Sequence, residues 1–305
     1  MTEPGVPDDV RLECVPNVSE GRDGARLRRL ADAVEKAGAR LVDVHSDVDH
    51  HRSVFTFLGA VDVVERAAVA FARLAAALID LRSHVGAHPR IGAVDVVPFV
   101  PLAGLPMADA VAVAHRVGRA LAADPGLPVF FYEEAAVVPG RRDLPGLRTG
   151  GFERLAERLA DPRWRPDAGP ITPHPSAGAV VVGARRPLVA LNAMLDSDDL
   201  AGARAVAAAI RERSPGGLPA VRALGLRLPS RGIAQVSMNL LDYRRTDPLA
   251  VMERVDAEAA ARGLRVTRYE LVGCAPGDAL DERLRARIPD LRASQLLDPR
   301  WFASA

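Results

Sequence analysis

The chain has 305 residues, a formal net charge of +1, and 49% apolar against 26% charged residues. The apolar share excludes a disordered chain, and the balanced charge removes the whole-surface attraction of a nucleic-acid binder. The length suggests about two domains or subdomains.

Met1–Asp9 lacks the basic and apolar regions of a secretory leader. The first strand is expected over Arg11–Val15, ending at Pro16-Asn17. Helical periodicity follows through Ala25, Leu27, Leu30, Ala31 and Val34, closed by Gly38. Leu41–Val44 and Arg52–Gly59 read as strands, the second rich in β-branched and aromatic residues. Val64, Ala67, Ala68, Phe71, Leu74, Ala75 and Leu78 share one helical face. The apolar run Val61–Ile79 carries Asp62, Glu65, Arg66 and Arg73, which argues against a membrane span. Ala93–Val100 reads as a strand, and Pro98 and Pro101 suggest a sheet edge or strand end. A helix over Met107–Ala122 and a strand over Pro128–Tyr132 come next.

Residues 139–178 are rich in Pro and Gly, with one short helix near Gly151–Leu159. Asp161–Gly178 is the longest irregular stretch, of the kind that is functional or a linker. Regular order returns with a strand over Leu188–Leu195 and a helix over Asp198–Arg213, capped by Ser197 or Asp198. Val221–Leu228 and Ile233–Leu240 read as paired strands, Pro248–Arg262 as a helix, and Arg265–Val272 as a last strand. Both halves thus run β-α-β-β-α-β, the ferredoxin-like order. The expectation is an α/β (α+β sandwich) fold of two ferredoxin-like βαββαβ subdomains, residues 1–180 and 181–305. A single doubly wound sheet is disfavoured, because 41–48 with 52–59 and 221–228 with 233–240 look antiparallel.

Of the 40 basic residues only Lys36 is a lysine. It reads as the exposed end of a helix, so Schiff-base chemistry has no good nucleophile. Two cysteines, Cys14 and Cys274, do not make a disulfide scaffold. Cys14 sits in a strand pattern as a small hydrophobe. A soluble cytoplasmic protein is expected. The densest polar constellation is Ser83-His84-Val85-Gly86-Ala87-His88-Pro89-Arg90-Ile91-Gly92. It offers histidines for proton transfer near neutral pH and an arginine able to clamp a carboxylate. The plain alternative is that His84 and His88 cap the preceding helix. Metal binding is disfavoured, since Gly86 and Pro89 break the helix that would put His84 and His88 on one face. No phosphate-binding glycine loop is present. Other polar clusters are Asn17-Val18-Ser19-Glu20-Gly21, whose Ser19-Glu20 has a helix cap as its plain alternative, Asp49-His50-His51-Arg52, Glu133-Glu134, Asn192 and Asn239.

Cys14–Gly21, Arg52–Gly59, His88–Asp95, Arg141–Pro145, Gly183–Arg185 and Ala234–Asp242 together resemble the glutamate formimidoyltransferase (glutamate formiminotransferase) family. The motifs run in order from about residue 11 to 275. The resemblance implies transfer of the formimino group from N-formimino-L-glutamate to N5 of tetrahydrofolate, a step of histidine degradation. It implies a ligand cleft between the two subdomains, with tetrahydrofolate as co-substrate, no metal, small-molecule partners and a homodimer. It places the catalytic histidine at His88. It places folate contacts on Gly169, Pro170, Ile171, Thr172, Pro173, His174, Pro175, Ser176, Ala177 and Gly178, where the match is looser in the middle. Arg52, Arg90 and Arg185 are the candidates to hold substrate carboxylates, with Asn17, Glu20, Asn192 and Asn239 as further binding candidates. The cyclodeaminase domain to which the family is fused in animals is expected to belong to another protein or to be absent. Formyl transfer from 5-formyltetrahydrofolate to glutamate, or folate binding without catalysis, remain the alternatives.

Overall fold

The computed structural model describes residues 10–302, so the Met1–Asp9 stretch read above lies outside them. The chain divides into two compact units, one running to Arg185 and taking in Trp301 and Phe302, the other Arg186–Arg300.

The first unit is built on a seven-stranded sheet. Its strands are β1 (Leu12–Cys14), β2 (Asn17–Val18), β3 (Arg40–Asp47), β4 (Arg52–Gly59), β5 (Val94–Pro101), β6 (Val129–Glu133) and β7 (Val180–Ala184). β1 and β2 are one strand interrupted at Val15-Pro16, and both lie between β4 and β5. β3 pairs antiparallel with β4, while β7 and then β6 extend the far side of β5 in parallel. The helices are α1 (Gly24–Lys36), α2 (Val61–Leu78) and α3 (Met107–Ala123). The β-α-β-β-α-β order therefore holds, and two parallel strands extend it.

The three helices bury one sheet face. Val64, Ala67, Ala68, Phe71, Ala72, Ala75 and Ala76 line the inner face of α2. The Phe71 ring meets Phe55 edge-on at 4.8 Å. Truncating Phe71 to Ala would cost about 3–5 kcal/mol. Alternate strand residues face the opposite way. There Ile91, Val96, Phe130 and Tyr132 pack under the irregular middle of the chain, which contains the short helices α4 (Leu144–Leu147) and α5 (Leu155–Ala160).

Of the edge position or strand end expected from Pro98 and Pro101, Pro101 does end β5, but the edge position is corrected: β5 lies inside the sheet. Pro98 is tolerated because its carbonyl and missing N–H face the break between β1 and β2. The Pro98 carbonyl accepts from Val15 N at 3.1 Å, and the absent donor falls where no ladder acceptor stands. β7 is a strand the sequence reading missed, because its short apolar run joins directly to the preceding loop.

The second unit has β8 (Val189–Leu195), α6 (Leu200–Ile210), β9 (Val221–Leu228), β10 (Ile233–Leu240), α7 (Pro248–Ala260) and β11 (Val266–Leu271). The sheet order is β11-β8-β10-β9, antiparallel throughout. The α6 cap is Asp199, whose carboxylate accepts from Gly202 N at 2.9 Å, one residue beyond the expected pair.

Candidate active site

Ser19, His50, His51, Arg52, His84, His88, Arg90 and Asp95 line one pocket, all from the first unit. The β3–β4 turn is capped by its own side chain. Asp47 Oδ1 accepts from Asp49 N at 2.8 Å and His50 N at 2.7 Å, and this fixes the two adjacent histidines. The His84–His88 segment closes onto that turn. Ala87 N donates to Asp49 O at 2.9 Å, and His84 Nε2 donates to His51 O at 2.8 Å. A Cβ at Gly86 would stand 2.3 Å from His50 O, so only glycine permits the approach. The rings of His51 and His84 stack at 4.1 Å, and those of His50 and His88 sit 5.7 Å apart. The helix-capping alternative for His84 and His88 is thereby removed: α2 ends at Leu78, capped by Ile79.

His88 Nδ1 lies 2.8 Å from Pro89 O. A carbonyl only accepts, so Nδ1 carries the proton and Nε2 keeps its lone pair. Burial, followed by the charges of Arg52 and Arg148 and by His50, holds the His88 pKa well below the ordinary value of 6.5. The imidazole is neutral at neutral pH and ready to act as a base. His84 is neutral too, brought down to about 4 chiefly by burial.

Arg52 donates from Nη2 to Asn17 Oδ1. Burial and then Arg148 push its pKa down to about 9, partly offset by Asp95 and Asp47. Asp95, on β5, accepts through Oδ1 from Ile91 N at 2.7 Å and Gly92 N at 3.3 Å. Its Oδ2 lies 2.5 Å from Arg148 Nη2. Glu20 accepts from Arg22 N, Asp23 N and Arg26 Nη1 at 2.9–3.0 Å and meets His51 Nε2 at 3.2 Å. Burial works to raise its pKa, but the Asp23 and Arg22 N–H groups, Arg26 and His51 bring it to about 2. Ser19 Oγ donates to Gly92 O at 2.7 Å. Ser19 and Glu20 therefore brace the site, and α1 is capped by Asp23.

Of the remaining candidates, Arg90 lines the pocket but is held as a strut, donating to His84 O at 2.9 Å and Glu153 at 2.7 Å. Arg185 lies with buried Glu13 and Tyr132: burial raises the Glu13 pKa to about 7 while Arg185 opposes the rise, and Arg185 also hydrogen-bonds Tyr132. Asn192 and Asn239 belong to the second unit. They lie on the sheet face opposite its apolar core, where Asn192 Nδ2 donates to Glu270 at 3.0 Å. Glu133-Glu134 forms no paired-carboxylate site, since Glu134 pairs with Arg142 at 2.6 Å, both half-exposed. Cys14 is buried, and burial raises its pKa.

The Gly169–Gly178 segment is braced at both ends. Beside its start, Val129 N donates to Ala168 O at 2.9 Å. At its end, Ser176 O accepts from Leu81 N at 2.8 Å and Ala177 O accepts from Ala93 N at 2.9 Å. His174 Nδ1 accepts from Ala177 N at 3.0 Å, which closes residues 174–178 of the segment as a hairpin-like turn, while residues 169–172 are exposed. Its end therefore abuts the backbone that follows His88.

Sequence reasoning missed Arg148 and undervalued Asp95. A lone carboxylate inside the apolar run Val94–Val100 was a signal, because a buried charge needs a partner. Arg148 gave none; it lies in a Pro/Gly-rich stretch and reaches the site only through the fold.

A neutral histidine beside two arginines, on a ferredoxin-like scaffold, is an arrangement with the chemistry to move a proton next to an anionic group. The family model described as the formiminotransferase domain, N-terminal subdomain, matches residues 11–185, and that described as the formiminotransferase domain matches 189–286. The chain belongs to the formiminotransferase family. It is 40% identical over 270 residues to the glutamate formimidoyltransferase of Streptococcus pyogenes serotype M1, covering 88% of this chain and 90% of that one. It is likewise 40% identical over 272 residues to the Thermoplasma acidophilum enzyme of that name, covering 88% and 89%. The formimidoyltransferase-cyclodeaminase of Rattus norvegicus is 40% identical over 275 residues, which are 88% of this chain and 51% of the rat protein. Among the described residues, no group of three or more His, Cys, Asp or Glu is placed to hold a metal ion. No helix among them is long and apolar enough to cross a membrane.

Proposed function

We propose that this protein is a glutamate formimidoyltransferase, moving the formimino group from N-formimino-L-glutamate to N5 of tetrahydrofolate to give 5-formiminotetrahydrofolate and L-glutamate in histidine degradation. Membership of the family across residues 11–286 carries the reading. The geometry at His88 supports the choice of catalyst. Its Nε2, left free by the Nδ1–Pro89 bond, takes the proton from N5 as the bond from N5 to the amidine carbon forms. The same Nε2–H then returns that proton to the glutamate nitrogen as the carbon–nitrogen bond to glutamate breaks. Because the site resists positive charge, the imidazolium formed midway is a strong acid and gives its proton up readily. One such group is worth about 10²–10⁴-fold in rate, and fixing two substrates together adds to it.

The Gly169–Gly178 segment would take part of the folate, and the hydrogen bonding of its end to the backbone at Ile91–Ala93 supports that role. Small-molecule partners, a homodimer and a cytoplasmic setting complete the proposal. The test is to mix purified protein with tetrahydrofolate and formiminoglutamate and follow 5-formiminotetrahydrofolate by absorbance, beside His88→Ala. Turnover that falls about a hundredfold or more in a folded variant supports both reaction and catalyst. Turnover kept in the variant removes His88, and no turnover in the wild type removes the reaction.

A further inference from the structure

Two guanidinium groups crowd the catalytic histidine with fewer acceptors than donors. Arg52 and Arg148 each depress the His88 pKa, and Arg148 depresses that of Arg52. Asp95 is the acid placed against both, in an ion pair with Arg148 and a charge interaction with Arg52. Half of that acid is already spent, since Asp95 Oδ1 accepts the Ile91 and Gly92 N–H groups. Its contact with Arg148 at 2.5 Å is not aligned as a hydrogen bond, and Nε and Nη2 of Arg148 and Nε of Arg52 are buried without hydrogen-bond partners among the described residues. Buried donors of this kind are expensive to leave unpaired, and a forked guanidinium is shaped for a carboxylate. Arg90, one of the three arginines the sequence offered, also has a buried Nε without a hydrogen-bond partner, but both its Nη atoms are occupied by Glu153 and His84.

We infer that Arg148 and Arg52 form a two-arginine clamp that receives a glutamyl carboxylate of the substrate beside His88, with Arg148 the specificity-determining member. The inference rests on the formimino-transfer reading, which supplies two glutamyl sources: formiminoglutamate and the tail of the folate. A carboxylate seated there also screens both cations from His88. Binding thus raises the basicity of Nε2 when the substrate is in place, and couples recognition to catalysis.

The test compares wild type with Arg148→Met and Arg148→Lys in steady-state kinetics, using tetrahydrofolate and, separately, tetrahydropteroate, which lacks the glutamyl tail. The clamp predicts that Arg148→Met raises KM for a glutamyl substrate about tenfold to a hundredfold, the size of a lost charge-assisted pair, with partial recovery in Arg148→Lys. A KM defect for formiminoglutamate that persists with tetrahydropteroate assigns the clamp to the donor. A KM defect for tetrahydrofolate that is absent with tetrahydropteroate assigns it to the folate tail. Unchanged KM for both, with only kcat or the pH profile altered, overturns the clamp and leaves Arg148 as a purely electrostatic neighbour. Calorimetric titration of L-glutamate into wild type and both variants reads the site without turnover. Binding in the wild type that is weakened at least tenfold in Arg148→Met supports the clamp even if no formimino transfer is seen, and equal affinities overturn it. Should Arg148→Met not fold, Arg148→Lys against wild type carries the same comparison.

Discussion

Asp95 is the carboxylate on which the His88 loop and the two arginines all depend, and removing it separates two kinds of stabilisation. In Asp95→Ala, the Ile91 and Gly92 N–H groups lose their acceptor and Arg148 loses its ion-pair partner. Bonds to a charged group are worth about 1.5–3 kcal/mol each, and breaking a buried pair costs about 3–5 kcal/mol. These losses share one side chain and do not add, so a total of about 4–6 kcal/mol is expected. Asp95→Asn keeps an Oδ1 acceptor for the two N–H groups and loses only the charge, for about 3 kcal/mol. Urea titration followed by tryptophan fluorescence is the assay, because both tryptophans, Trp164 and Trp301, lie in the first unit. Midpoints in the order wild type, Asn, Ala at a common slope confirm the division of roles. Coincident Asn and Ala midpoints refute the part given to Oδ1, and two variants within about 1 kcal/mol of wild type refute the buried-pair reasoning altogether.

Three further outcomes are expected. The acid limb of kcat/KM reports His88 in the free enzyme. Since its pKa is lowered, the base form is lost only well below pH 6.5, and Arg148→Met shifts that limb upward; a wild-type limb above pH 6.5 contradicts the assignment. Glu20, lowered from 4.5 to about 2, contributes stability that is full above about pH 4.5 and fades as pH falls toward 2. Glu20→Gln should flatten the stability–pH curve in that window, measured by urea midpoints at each pH. Gly92→Ala would place a Cβ 1.9 Å from Ala179 O. The backbone must move, at a cost of about 1–3 kcal/mol or more, and thermal melting together with turnover checks that both fall.

The periodicity of residues 11–128 and 188–272 determined the helices and most strands by itself, because burial of one face imposes a 3.6- or 2-residue repeat on the sequence. β4, β9 and β10 match their expected bounds, and the antiparallel pairs expected over 41–48 with 52–59 and 221–228 with 233–240 form, the first with its β3 strand one residue earlier, at 40–47. The place of His88 in the pocket was legible, because a histidine in a Gly-flanked loop is a local signal. The position of β5 was not legible: whether a proline strand lies at an edge depends on what its neighbour leaves open, and here the neighbour is broken at Val15-Pro16. Nor was the role of the arginines. Arg90, two residues after His88, lines the pocket but is tied to Glu153, while Arg148, 58 residues further on, is brought to Asp95 by α4. Local residue preference sets the elements. Which charges meet is a long-range matter of burial and pairing, and only the tertiary structure decides it.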